Sequence, residues 1–405
     1  AQQVNTLYFL ENAPMRHLIN PAFQPVSNVY VTLPVIGYSS AWVGNNAFTM
    51  KDFIFTDKNG NTITPYHPNA NPDWLAKKPK NTLIDADAYI NLFGLGVRIK
   101  DNGYFHLNIS EHIIAGAATG TNIFGINQLD SGLIGPFNLG ANALVYTDFA
   151  LGYSHKINDQ WTVGGKFKFL VGQAYVNANL DNISLAHSME ELHAYGNGNI
   201  VAAAPLQWQN LPTDVTDLGN IDTEALAGTD YRDWITPAGL GAAFDLGATY
   251  KPHEQVQISA SVTDLGFIRW TNLAKGNLSI DTTFTGVELN YGDYVYEGEL
   301  NQDSLTAHLT NTLNGYADAL NISDIDNNAK PLTRMLTANL HVGVDANFWD
   351  NRVGVGVHSR TRFYNNVVTE ELTLGAAFRP FNWVNIAASY SFINGHWSNI
   401  GAALS

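Results

Sequence analysis

From Leu336 to Phe348 the chain is apolar at every second position: Leu336, Ala338, Leu340, Val342, Val344, Ala346 and Phe348. Polar or small residues fill the gaps, among them Asn339, His341, Gly343 and Asp345. After the turn Trp349-Asp350-Asn351-Arg352 the alternation restarts. Val353, Val355, Val357, Thr361 and Phe363 take one face, and His358, Arg360 and Arg362 the other. Two more such segments follow, around Leu372–Phe378 and Val384–Phe392, with Glu371 and Arg379 on the polar side. A period of two sends successive side chains to opposite faces of a sheet, so these are strands with one apolar and one polar face.

A soluble antiparallel sheet also buries one face and wets the other. Three features favour a membrane instead. The alternating segments run to roughly 10–13 residues, the length a tilted membrane strand needs. Aromatics stand at the edges of the short turns, as Trp161, Tyr250, Trp349, Phe381 and Trp383 do, where an interfacial girdle would place them. The polar face mixes glycine with charge, which suits a lumen. The pattern predicts an all-β, antiparallel transmembrane barrel of about 14 strands, with 12 as the minimum count. Leu340, Val342, Val355, Val357, Leu374, Ile386 and Ala388 are expected to face lipid. Lys166, Lys168, Asp148, Asp245, Asp345, His358, Arg360, Arg362 and Glu371 are expected to face the lumen.

The rest of the chain divides by the same test. Residues 1–27 do not alternate and contain Pro14, Pro21 and Pro25, which cannot continue a ladder. They are nevertheless rich in Leu7, Tyr8, Phe9, Leu10, Met15 and Phe23, too apolar for a solvated tail. The lipid-facing wall offers such residues no shelter, so they are expected to plug the lumen and to line any ligand pocket there. Residues 28–405 are assigned to the barrel. Connections at 100–103, 156–160, 251–254, 349–352 and 379–382 are short, and the segments 45–80, 115–140 and 173–237 are long. Short turns belong to the periplasmic end of outer-membrane barrels and long loops to the outer end. Leu305, Leu309, Leu313, Tyr316 and Leu320 fall at helical spacing, predicting a helical insertion over 304–320.

Composition narrows the function. The 405-residue chain is 45% hydrophobic, yet its mean hydropathy is −0.10. It has no run of 18 apolar residues that would make a spanning helix; a barrel needs none. A net charge of −15 opposes nucleic acid, whose phosphates it repels. Cysteine is absent, which removes thiolate chemistry and disulfides. The 12 histidines are scattered and sit in no nucleophile or metal motif, so neither catalysis, a metal nor a cofactor is expected. Ala1-Gln2-Gln3 reads as a mature start.

Three motifs carry a resemblance. They are the leader "YFLENAP…LINPAFQP" with Asn20-Pro21-Ala22, the stretch "SVTDLGFIRW", and "FRPFNWVNIAASYSF". With these the chain resembles a group of Bacteroidota outer-membrane proteins of unknown function. More distantly it is similar to FadL-type barrels, including the PorV and PorP/SprF-like components of type IX secretion. The resemblance implies a lumenal plug and a place in the Gram-negative outer membrane. Such barrels usually end on a strand with a terminal aromatic, whereas this sequence stops at "NIGAALS", so further strands are expected after Ser405. Two functions follow: passive transport of small hydrophobic or amphipathic solutes, or a non-enzymatic protein-interaction barrel serving secretion or surface display. The first implies a hydrophobic small molecule as partner, the second a larger protein complex, and both imply outer-membrane lipid.

Overall fold

The computed structural model describes residues 2–34, 38–49, 52, 55–56, 62–63, 72–128, 132–187, 192–211, 226–227, 236–284, 295–296, 299–300, 320–364, 367–381, 384–393 and 396–404. One antiparallel sheet of 17 strand segments dominates it. In chain order these are β1 (Val29–Thr32), β2 (Ser39–Asn45), β3 (Asn81–Ile99), β4 (Gly103–Gly120), β5 (Gly132–Lys156) and β6 (Trp161–His187). Then come β7 (Leu192–Ala203), β8 (Gly239–His253), β9 (Val256–Trp270), β10 (Leu273–Phe284), β11 (Leu320–Asp326) and β12 (Leu332–Met335). The last are β13 (Ala338–Phe348), β14 (Val353–Tyr364), β15 (Val367–Phe381), β16 (Val384–Ile393) and β17 (His396–Leu404). Among the described residues no helix is long and apolar enough to cross a membrane; the strands do the spanning.

Pairing turns these segments into a wall. β1 and β2 both pair with β3, one at each end, and so act as one interrupted strand. β3, β4, β5 and β6 follow as hairpin neighbours. β6 then divides its partners. Its first half, Trp161–Gly172, pairs with β8, and its second half, Tyr175–His187, pairs with β7. The wall continues β8, β9, then β12 and β13 along one edge of β9, and β14 to β17 in order. Counting β1 with β2 and β12 with β13, the wall has 12 positions. β7, β10 and β11 form an arm beyond it, at the end opposite the short turns.

The polarity of the wall is that of a membrane protein. Phe149, Leu151, Phe167, Phe169, Leu246, Val342, Val357, Leu374 and Ile386 are exposed, while His106, Asp148, Lys166, Asp245, His358 and Glu371 are buried. Each apolar side chain left outside would cost about 1.5–3 kcal/mol in lost burial if water covered it. Lipid removes that cost, so a band of this kind suits a bilayer. Trp161 and Tyr250 stack at a ring separation of 4.6 Å beside a short turn, and Trp349 and Phe381 are exposed at the same end. Trp383 lies outside the described residues.

Several expectations are corrected. The segment 115–140 is mostly strand: β4 runs to Gly120 and β5 restarts at Gly132, with one 3-10 turn at Thr121–Gln128. Gly116 and Gly140 sit inside the long ladder that joins β4 to β5. The segment 173–237 likewise holds the end of β6 and all of β7. The unbroken alternation from Leu336 also fails. Met335 is exposed, but Leu336 is buried against Ile268 and Trp270, and the inward residues from Asn339 onward are odd-numbered. An irregularity between β12 and β13 shifts the phase by one residue, which flips every side chain before it to the other face. The expected helix at 304–320 falls outside the described residues, except Leu320, which opens β11. Within 46–80 the described parts hold a two-residue ladder, Phe55–Thr56 with Thr62–Ile63, and a 3-10 turn at Pro72–Leu75.

Candidate functional site in the barrel interior

The first 27 residues cannot pair as strand and need a surface for their apolar side chains. A short helix, α1 (Gln2–Leu7), and a 3-10 turn at Pro14–Leu18 compact them. Leu7, Tyr8, Phe9, Leu10, Met15 and Phe23 are all at most 5% exposed and form one cluster with Tyr30, Tyr104, Ala377 and Ala387 of the wall. The segment touches strands all around the sheet, which requires the wall to curl about it.

Polar contacts fix its position. Asn5 Nδ2 donates to Glu371 Oε2 at 2.8 Å, and Thr6 Oγ1 lies 2.7 Å from Ser389 Oγ. Tyr8 Oη donates to Asp345 Oδ1 at 3.1 Å and lies 2.9 Å from Ser259 Oγ. Burial, and then the Asp345 carboxylate, push the Tyr8 phenol far up, so it remains a neutral donor. The Tyr8 ring stacks on His358 at 4.6 Å, and His358 Nε2 lies 3.1 Å from His341 Nδ1. Asn20 Nδ2 donates to the Ala248 and Ala260 carbonyls at 3.2 and 3.1 Å, while its Oδ1 accepts from Ala22 N at 2.9 Å. Asn20-Pro21-Ala22 is thus a backbone latch onto β8 and β9. Gly164 of β6 permits it, because a Cβ there would overlap the Pro21 carbonyl. Glu11 Oε2 pairs with Arg379 Nη2 at 3.1 Å.

His17 completes the attachment. Lys166 Nζ lies 3.2 Å from His17 Nδ1 and 3.1 Å from its carbonyl. An ammonium only donates, so Nδ1 accepts and the proton sits on Nε2, which donates to Tyr30 Oη at 2.9 Å. Tyr30 in turn donates to His106 Nδ1 at 3.2 Å. Burial first, then His106 and Lys166, hold His17 well below the ordinary histidine range, and it stays neutral. Sequence reading missed His17 and Asn5; no local pattern marks them, since their partners lie far away in the chain.

The lumen charges pair across strands. Lys168 Nζ lies 2.6 Å from Asp264 Oδ1 and 3.0 Å from Asp245 Oδ2, and Lys166 Nζ 3.6 Å from the same Asp245 oxygen. Asp245 Oδ1 also accepts from Asp264 N at 2.8 Å, at a β-bulge where Asp264 has a φ of 60°. Buried charges are tolerable only when paired and hydrogen-bonded. Arg360 and Arg362 have looser partners, Glu371 at 3.8 Å and Asp85 at 3.5 Å.

On the side of Leu7 and Leu18 away from the short turns lies a cavity of about 110 Å³. Tyr38, Trp42, Tyr89 and Tyr146 give it aromatic walls, and Asp87, His112, Asp148, Lys168, Asp264, Arg360 and Arg362 give it charge. Of the expected pocket residues only Leu7 reaches this cavity; Tyr8, Phe9, Met15 and Phe23 pack against the wall below it. No metal-binding cluster occurs among the described residues.

An inside-out antiparallel wall with a non-strand segment held in its interior defines the class, a membrane β-barrel. The chain belongs to the DUF5723 family, a family of unknown function, which matches residues 21–405. Among curated proteins no sequence matches. Of solved structures, the Ralstonia pickettii toluene transporter TbuX is similar at 7% identity and a TM-score of 0.37, over 91% of this chain and 74% of that one. The Pseudomonas putida toluene transporter TodX is similar at 10% identity and 0.38, over 93% and 87%. A Pseudomonas aeruginosa FadL homologue is similar at 13% identity and 0.29, over 94% and 85%. The fold described above rests on strand pairing and not on these similarities.

Proposed function

We propose that this protein is a non-enzymatic outer-membrane barrel through which small hydrophobic or amphipathic solutes pass, with residues 1–27 as its plug. The observation that carries this reading is the attachment of the plug. Beyond its apolar packing, its polar ties among the described residues are single hydrogen bonds and one ion pair to many strands, not a continuous ladder, so it can shift as a unit while the wall stays intact. The cavity on its far side is a place where a solute can wait. The exposed apolar band supports a membrane location, and the grouping of the short turns at one end, with strand extensions and the arm at the other, supports a periplasmic and an outer side. No cofactor and no nucleic acid enters this reading.

Deletion of residues 2–24 tests it. The truncated protein is expected to fold in lipid vesicles and to conduct more ions in planar bilayers than the intact chain. Equal conductance, with the same residues open to protease in the intact protein, removes the plug from the proposal. The secretion or surface-display alternative would use the arm of β7, β10 and β11 as its docking surface. Co-purification of a large surface protein that depends on the arm would favour that alternative.

A further inference from the structure

The cavity beyond the plug is an unusual pocket for a hydrocarbon, because charge lines it. Resting on the passage reading, we propose that it is a binding site for a small zwitterion of amino-acid size, carrying a carboxylate and an ammonium group.

The first observation is a guanidinium with a spare donor atom. Arg360 is only 8% exposed. Its Nε donates to Asn339 Oδ1 at 3.0 Å, but its Nη1 has no hydrogen-bond partner and stands 3.8 Å from Glu371 Oε2. Glu371 Oε2 is engaged by Asn5. Two residues along the same strand face, Arg362 has an unpartnered Nε and its guanidinium lies 5.9 Å above the Trp42 ring. A buried donor without an acceptor costs about 1–3 kcal/mol, more when charged. Two neighbouring donors in that state make a receptor for a carboxylate, whose paired oxygens match guanidinium geometry.

The second observation is an unused carboxylate oxygen on the same cavity. Asp148 is 4% exposed. Its Oδ2 lies 2.8 Å from His112 Nε2, and its Oδ1 has no partner. A ligand ammonium or other strong donor satisfies that atom. The lining therefore offers spare donors and a spare acceptor together, with Asp87, Asp148 and Asp264 set against Lys168, Arg360 and Arg362. A lone anion or cation meets as much repulsion as attraction there. A zwitterion meets a partner at both ends, and Tyr89 and Tyr146 give its body an aromatic wall. Water is the alternative filling: a single water needs about 10–15 Å³ of such volume, and the cavity is several times larger.

Equilibrium titration of the purified full chain in lipid nanodiscs tests this with four matched probes. L-phenylalanine carries both groups, hydrocinnamate only the carboxylate, phenethylamine only the ammonium, and ethylbenzene neither. Phenylalanine is expected to bind at least about tenfold tighter than each of the others, the worth of one charged hydrogen bond. Arg360→Gln and Asp148→Asn are each expected to lose about tenfold or more for phenylalanine and to leave ethylbenzene unchanged. Arg360→Lys, which keeps the charge and loses the fork, is expected to weaken phenylalanine less than Arg360→Gln and guards against misfolding of that variant. Phenylalanine binding no tighter than hydrocinnamate or phenethylamine overturns the proposal, as does wild-type affinity in Arg360→Gln. Solute flux into liposomes is measured separately. Loss of flux with binding intact refutes passage alone, and flux without zwitterion binding refutes this site alone.

Discussion

Val357 and His358 are neighbours in β14 with opposite surroundings, one 40% exposed on the outer face and the other fully buried against Tyr8. That contrast sets the residue-scale expectations. Val357→Arg places a guanidinium in hydrocarbon and should destabilise the barrel in vesicles by about 2–4 kcal/mol, measured by denaturant unfolding; a cost near zero would mean that this face does not meet lipid. Gly343 gives the second case. A Cβ there would overlap the Tyr8 ring, so Gly343→Ala must displace the plug, at a cost of about 1–3 kcal/mol for overpacking. Its visible result is faster cleavage of the N-terminal segment by added protease, with the heat-modifiable barrel band retained. Unchanged cleavage would show that Tyr8 is not seated against β13.

At the scale of elements, the plug is coupled to the wall through His17, Tyr30 and His106. A neutral His17 is required, since protonation would put a cation beside the Lys166 ammonium and remove the acceptor it uses. The folded pKa is depressed below the free value of about 6.5. The undocked segment therefore binds more protons than the docked one as pH falls below that value. Docking should be strongest above about pH 6.5 and weaken by up to about 1.4 kcal/mol per pH unit below it. Conductance recorded from pH 7.5 to 5 should rise in the native protein. His17→Gln keeps a polar side chain without this titration and should flatten the rise; an equally steep rise in that variant would exclude His17 as its source. The arm is a different kind of element. It exists because β6, at 27 residues, outruns the 15-residue β8 and gives its second half to β7 instead.

For the whole molecule, the decisive question is whether the plug moves. The chain has no cysteine, so an introduced pair reports cleanly. Thr6 and Ser389 touch through their side-chain oxygens at 2.7 Å, and Thr6→Cys with Ser389→Cys should form a disulfide tying α1 to β16. Oxidised protein is expected to conduct less than reduced protein, with reductant restoring the difference. Identical conductance in both states would mean that passage does not need α1 to leave its seat. The same pair leaves Arg360 and Asp148 untouched, so zwitterion binding should survive the cross-link.

The alternation along β13 to β16 is legible because a period of two is a local property: each residue states its face without reference to any partner. Inverted polarity, apolar outside and charged inside, follows from the same pattern once strand length and turn aromatics point to lipid. The apolar content and prolines of residues 1–27 likewise require a sheltered, non-strand segment. What the segment touches is not local. Asn5 meets Glu371 across 366 residues and His17 meets Lys166 across 149, and nothing in the neighbourhood of either residue encodes that. The strand bonds that pass through the 115–140 glycines depend on β3 and β5 lying alongside, which made a ladder read as a loop. The phase shift before Asn339, the bulge at Asp264 and the division of β6 between two partners all arise where pairing changes. A change of partner is a property of two or three strands at once. The wall and its polarity belong to the sequence; the branched arm, the latch at Asn20 and the spare donor atoms of Arg360 and Arg362 are products of the folded arrangement, because only packing in three dimensions decides which polar atoms find each other.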